Sequence, residues 1–134
     1  MAAQRMTSWT YAENFIPSPD PVAAASARAA EIGADVLPPS VGASLRMLAA
    51  ALNAGHVIEI GTGAGVSGLW LLEGMSDDGI LTSIDADPER QRAARAAFAS
   101  AGVPPQRTRV ISGEALQVLP RMTDGAYDMV FVSA

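Results

Sequence analysis

The segment Val57-Ile58-Glu59-Ile60-Gly61-Thr62-Gly63-Ala64-Gly65 holds the densest chemical signal in this 134-residue chain. Glycines at alternate positions can take positive φ and let a ligand approach main-chain groups where a side chain would collide. A strand entering such a loop and leaving it as a helix makes a ligand crevice at the carboxyl end of a parallel sheet. Asp85 follows 24 residues after Gly61, at the end of a second strand. A carboxylate in that place can accept hydrogen bonds from both hydroxyls of a ribose. Loop and acid together point to a nucleoside-bearing cofactor. Asp87 and Glu89 read differently, as acids in the capped first turn of a helix.

Two cofactors compete for this arrangement. Gly63-Ala64-Gly65-Val66-Ser67-Gly68 matches the dinucleotide pattern GxGxxG, with Asp85 22 residues beyond its first glycine. The other register starts at Glu59 and reads acid-x-Gly-x-Gly-x-Gly. A dinucleotide loop turns phosphates toward the helix amino terminus, where a second negative charge would oppose them. Glu59 is such a charge and fits better beneath a ligand with a cationic or ammonium portion and no phosphate. S-adenosylmethionine, with a ribose, an adenine, a sulfonium and an amino-acid tail, meets that description; a nicotinamide dinucleotide stays as the alternative.

Composition narrows the remaining chemistry. All nine basic residues are arginine, so these residues offer no Schiff-base lysine, lysine base or P-loop lysine. Cysteine is absent, which removes disulfides, thiolate nucleophiles and thiolate metal ligands, and the single histidine, His56, cannot build a multi-histidine zinc site. Hydrophobic residues make up 49% of the chain, enough for a packed core, and the net charge of -5 offers no attraction to nucleic acid or anionic membrane. No apolar run approaches the length needed to cross a bilayer, and no signal peptide is read. The expectation is a soluble, cytoplasmic globular chain.

The elements that must position the loop follow from punctuation and period. Residues 1–19 carry Trp9, Tyr11 and Phe15 without a clear period and read as an arm or leader. Asp20-Pro21 looks like a cap followed by a first-turn proline, with Val22, Ala25, Ala29 and Ile32 on one face and Gly33 as the stop. After Pro38-Pro39, Ser40 is the expected cap of a second helix with Leu45, Leu48, Ala49 and Leu52 as its apolar face. His56–Ile60, Ile80–Ile84, Thr108–Ile111 and Tyr127–Val132 read as strands. Val66–Met75, a helix capped by Asp87-Pro88 and running to about Ala101, and a short helix Glu114–Leu119 alternate with them. Ala93, Ala94, Ala97 and Ala101 give the long helix a small-residue surface that can lie close to a sheet. The alternation is that of an α/β fold with a parallel sheet and helices on both faces. The first strand should be central, and the fourth, fully apolar over Met129–Val132, should leave an uncovered edge. That edge predicts either the amino-terminal portion of a longer domain or pairing with a second copy as a homodimer.

Taken jointly, Glu59–Ser67, Ser83-Ile84-Asp85-Ala86-Asp87-Pro88 and Gly113-Glu114-Ala115 resemble the class I methyltransferases. More narrowly the chain is similar to the O-methyltransferases that include the catechol and caffeoyl-coenzyme A enzymes, from about Pro38 to its last residue. The resemblance implies a Rossmann-like methyltransferase fold of seven strands, of which this chain supplies the first four. Residues 1–36 would be an arm and helix, and 37–134 the S-adenosylmethionine-binding half. It implies that Leu37 touches the cofactor through its backbone, and that Glu59, Gly61 and Thr62 lie along the methionine portion with Gly63 in the same loop. Ser67 would hydrogen-bond the methionine carboxylate, Asp85 would hold the ribose, and Ala115 would lie near the adenine. At Ser133 the relatives place an aspartate that binds a divalent cation. A serine hydroxyl is a poor substitute for a hard anionic ligand, so no metal site is expected from these residues.

The implied activity is methyl transfer to a hydroxyl of a small-molecule acceptor. The alternatives are an NAD-type oxidoreductase, a non-catalytic chain that binds cofactor and associates, and, disfavoured by acidity, a transfer RNA methyltransferase. No catalytic base is identified. His56 is expected to be structural or exposed, Trp70 to be core, and Arg107 and Arg109 to solvate an edge.

Overall fold

The computed structural model describes the backbone of residues 2–133 and the side chains of residues 7–133. Its centre is a parallel sheet in the order β3-β2-β1-β4, formed by β1 (His56–Ile60), β2 (Ile80–Asp85), β3 (Thr108–Ser112) and β4 (Met129–Val132). Val57 pairs with Leu81 and Met129, and Ile60 with Ile84 and Val132. The first strand is therefore interior, as read from sequence, and its ligand-facing end is flanked by the ends of β2 and β4. Flanking helices are α1 (Ala2–Phe15), α2 (Asp20–Glu31), α3 (Pro39–Ala51), α4 (Val66–Gly74), α5 (Pro88–Ser100) and the single-turn α6 (Ala115–Val118). This is a Rossmann-like α/β fold, with strand order reversing beside β1 at the point where open α/β sheets bind ligands. No helix among the described residues is long and apolar enough to cross a membrane.

Burial on both faces of β1 explains its adjacent apolar residues: Val57 and Ile58 are both buried. Val57 and Leu81 belong to one core with Trp70, Leu71 and Leu72 of α4 and Ala94 and Phe98 of α5. The alanine surface of α5 has the expected use: Ala93 and Ala94 are buried and Ala97 and Ala101 pack against the core. Trp70 is a core residue, with the Arg46 guanidinium 4.9 Å from its ring centroid.

Several local expectations are corrected. Within the segment read as an arm or leader, Ala2–Phe15 form a helix not anticipated from sequence. No apolar stripe announced it because Trp9, Tyr11 and Phe15 are all exposed. Asp20 is the first helical residue of α2 and makes no side-chain cap, Pro19 being the residue before the helix. Proline is tolerated throughout a first turn because those N–H groups lack intrahelical partners anyway. Ser40 likewise lies inside α3, which starts at Pro39. The cap comes from another element: Glu13 of α1 accepts from the Ser40 hydroxyl at 2.6 Å and from its amide at 2.9 Å. Of the expected face of α3, Leu45 and Ala49 are buried but Leu48 and Leu52 are exposed; Gly42 and Ala43 are buried in their place, Gly42 because that helix lies close to Trp70 there. Arg107 does not solvate an edge. It donates to the carbonyls of Leu72, Ser76 and Gly79, tying the end of α4 to the start of β2. His56 is exposed, as the sequence allowed, and its amide and that of Gly55 donate to the Asp128 carboxylate that precedes β4.

Candidate functional site

β1 ends at Ile60 and the chain turns through Gly61–Gly65 before α4 begins at Val66. Gly65 has φ +93, and a β-carbon there would lie 3.2 Å from the Ala94 Cα, so the loop needs glycine both for its conformation and for the approach of α5. Gly68, the last glycine of the dinucleotide-like register, faces Phe98 and Leu81. Its smallness serves helix packing in the core.

The loop floors a cleft of about 520 Å³ at the carboxyl ends of the strands. Leu37, Gly61, Thr62, Gly63, Ser67, Asp85 and Ala115, all singled out from sequence, line it together. The tertiary fold thus gathers residues from the segment before α3, the β1–α4 turn, the end of β2 and the start of α6. Ser133 also reaches the cleft from the end of β4, its hydroxyl 3.1 Å from the Gly61 carbonyl it donates to.

Asp85 is held from two sides. Its Oδ2 accepts from the Gly63 amide at 3.2 Å and its Oδ1 from the Asp87 amide at 2.9 Å. The loop and the turn into α5 are thereby fixed to the same carboxylate. Asp87 performs the capping role read from sequence, accepting from the Glu89 and Arg90 amides. Gln91, one turn into α5, is buried. Its amide nitrogen donates to the carbonyls of Asp85, at 2.9 Å, and Ile111, and its oxygen accepts from the Ser112 hydroxyl. Sequence reasoning missed this clamp between the ends of β2 and β3. A polar residue on the inner face of an otherwise alanine-lined helix was the available signal.

Glu59, expected from sequence to set a negative charge beneath the cationic portion of the ligand, does not line the cleft. It is fully buried one layer beneath, where Ser67 donates to its Oε2 and Ser83 donates to its Oε1 at 2.7 Å. Thr62 Oγ1 lies 2.7 Å from Ser83 Oγ and extends the network back to the loop. Burial pushes the Glu59 carboxyl up to about 7, against the pull of the two serine hydroxyls, and the neighbouring Asp85 charge pushes the same way. Ser83, whose side chain links Thr62 to Glu59, was missed from sequence as a site residue. Alternation along β2 puts it on the face of Leu81, opposite Glu59 in register.

A profile of the O-methyltransferase family matches residues 25–134. An O-methyltransferase relative from Mycolicibacterium smegmatis is 53% identical over 134 residues, covering 100% of this chain and 64% of the relative. A protein of Corynebacterium glutamicum has a solved structure that aligns with a TM-score of 0.88 at 34% identity, over 100% of this chain and 62% of that one. The O-methyltransferase TomG of Streptomyces achromogenes, involved in tomaymycin synthesis and solved in complex with SAM, aligns with a TM-score of 0.86 at 26% identity, over 100% and 63%. The chain therefore spans a little under two thirds of the length of these relatives.

Proposed function

Since the chain belongs to the O-methyltransferase family, we propose that its cleft binds S-adenosylmethionine and that it forms the donor half of an enzyme methylating a hydroxyl of a small molecule. The observation that carries this reading is the paired placement of Asp85 and Ser67 around the glycine turn of one cleft. The volume, about 520 Å³, is that of a small-molecule site. Asp85, oriented by the Gly63 and Asp87 amides, would accept from the ribose hydroxyls. The Gly61-Thr62 backbone would run along the methionine portion and Leu37 would cover it. Ala115, beside Gly113 and Glu114, would border the adenine. Ser67, in the first turn of α4, would hold the carboxylate. Glu59 acts from beneath through Ser67. Residues 37–134 would then be the cofactor-binding half, with 1–36 packed onto it.

When bound, this cofactor supplies a methyl group on a sulfonium, already an activated leaving group. The residues described here need only hold and align the donor, which is where positioning yields rate. They do not fit a divalent cation: Ser133 is neutral and its hydroxyl is committed to the Gly61 carbonyl. Among the described residues no three Asp, Glu, His or Cys side chains converge.

Calorimetric titration with S-adenosylhomocysteine and with NAD tests the reading. The former should bind and the latter should not; tight binding of NAD alone would overturn it. Asp85→Ala should weaken S-adenosylhomocysteine at least about tenfold, through lost hydrogen bonds to a charged group.

A further inference from the structure

Ser67 has one hydroxyl proton, and Glu59 holds it. Ser67 donates to Glu59 Oε2 and Ser83 to Oε1, so Thr62 must be the donor in its own contact with Ser83. With Glu59 ionised, Ser67 therefore offers the cleft lone pairs only. The surroundings of Ser67 favour the opposite partner. It is the second residue of α4, a helix of 9 residues whose first-turn N–H groups and positive dipole end attract an anion. A ligand carboxylate at Ser67 would meet an acceptor oxygen, with a second carboxylate directly behind it in a buried setting where like charges are costly. One added proton removes both conflicts. A protonated Glu59 donates to Ser67 Oγ, and the Ser67 hydroxyl is free to donate into the cleft.

We infer that Glu59 is a positioning residue that sets ligand polarity at Ser67, so that a ligand with a carboxylate tail binds with uptake of one proton from solvent. The inference rests on the methyl-donor reading and concerns the amino-acid end of that donor. Burial prepares Glu59 for the part, holding its carboxyl at about 7. Asp85 on β2 is the charged group that acts on it, in the same direction. From α4 it meets Ser67, and β4 places the uncharged Phe131 opposite it in register. Asp35, Arg90 and Glu114 line the cleft, and the hydrogen bonds of Glu59 go to none of them.

The test is calorimetry at pH 6 and pH 8, each in two buffers of different ionisation enthalpy. The two probes are S-adenosylhomocysteine and 5′-methylthioadenosine, which keeps the nucleoside and thioether but lacks the amino-acid tail. S-adenosylhomocysteine should take up close to one proton at pH 8 and almost none at pH 6, with Kd about tenfold weaker at pH 8. 5′-Methylthioadenosine should bind without uptake at either pH. Glu59→Gln, whose amide can donate to Ser67 and accept from Ser83, should bind S-adenosylhomocysteine equally at both pH values. If that variant misfolds, the contrast between the two nucleosides in the unmodified protein decides. S-adenosylhomocysteine binding without uptake at pH 8, or with proton release, overturns the inference and leaves the methyl-donor reading standing. Binding of neither nucleoside overturns both.

Discussion

Replacing Gly42 with alanine sets two opposed effects against each other. In a helix interior, alanine is favoured over glycine by about 1 kcal/mol. At this position the new β-carbon would lie 2.1 Å from Trp70 Nε1, 2.3 Å from Cδ1 and 2.5 Å from Cε2. Ordinary carbon contacts lie at about 3.5–4.0 Å, so α3 and α4 must part by more than about 1 Å. The indole cannot yield, because it is fully buried and the Arg46 guanidinium lies over its ring. Overpacking costs about 1–3 kcal/mol and occasionally more. With a rigid ring as the obstacle the upper end applies, leaving a net loss of about 2 kcal/mol after the gain in helix propensity. For a urea slope of about 2 kcal/mol/M, the unfolding midpoint should fall by about 1 M with the slope unchanged. Because Leu37 and Pro38 enter α3 from the cleft wall, cofactor affinity should fall as well. A midpoint that stays put or rises, as propensity alone would have it, refutes the packing argument.

Other consequences are as open to measurement. Glu13→Ala removes the cap that α1 lends to α3 and should cost about 1 kcal/mol in urea unfolding, with Glu13→Gln retaining part of it through its amide oxygen. Gln91→Ala opens the clamp between β2 and β3 and leaves the Ser112 hydroxyl without its acceptor; a loss of about 1–3 kcal/mol is expected, with weaker S-adenosylhomocysteine binding as Asp85 loses support. Glu59 ionises at 4.5 when unfolded and at about 7 when folded, so the unfolded chain gives up its proton first. Relative to Glu59→Gln, stability should be fully retained below pH 4.5 and decline by on the order of 3 kcal/mol as pH rises to 7; a decline in the opposite direction in urea titrations would contradict the burial argument. Asp128→Ala should speed hydrogen exchange at the Gly55 and His56 amides, which its carboxylate accepts from, and unchanged exchange would show that the clamp is idle.

Much of the site was legible from local order. The Gly61–Gly65 turn, Asp85 and the Asp87 cap are local signals, since the conformations that glycine permits and the reach of a carboxylate depend on a few neighbouring residues. Helix α1 was not legible, because its large apolar residues Trp9, Tyr11 and Phe15 form no buried stripe. The cap on α3 was misassigned for a related reason: a capping carboxylate 27 residues away leaves no local trace. The buried face of α3 was partly misplaced because apolarity ranked Leu48 and Leu52 as core beside Leu45 and Ala49, whereas the close approach of Trp70 demanded Gly42.

By itself, then, the sequence determined the alternation of strands and helices, the interior place of β1 and the residues that could meet a nucleoside. Periodicity, turns and caps are properties of neighbouring residues, and they are written in order along the chain. Which of those residues face the ligand was a tertiary decision. Glu59 lies within the glycine motif, yet β1 turns it into the core, where Ser83 of β2 and Ser67 of α4 take both of its oxygens. Gln91 lies outside the motif, yet α5 delivers it to the backs of Asp85 and Ile111. Hydrogen-bond partners separated by 8, 20 and 24 residues meet only because strands and helices pack together. That packing, more than the motif, sets the proton affinity of the buried carboxyl and the direction in which Ser67 can donate.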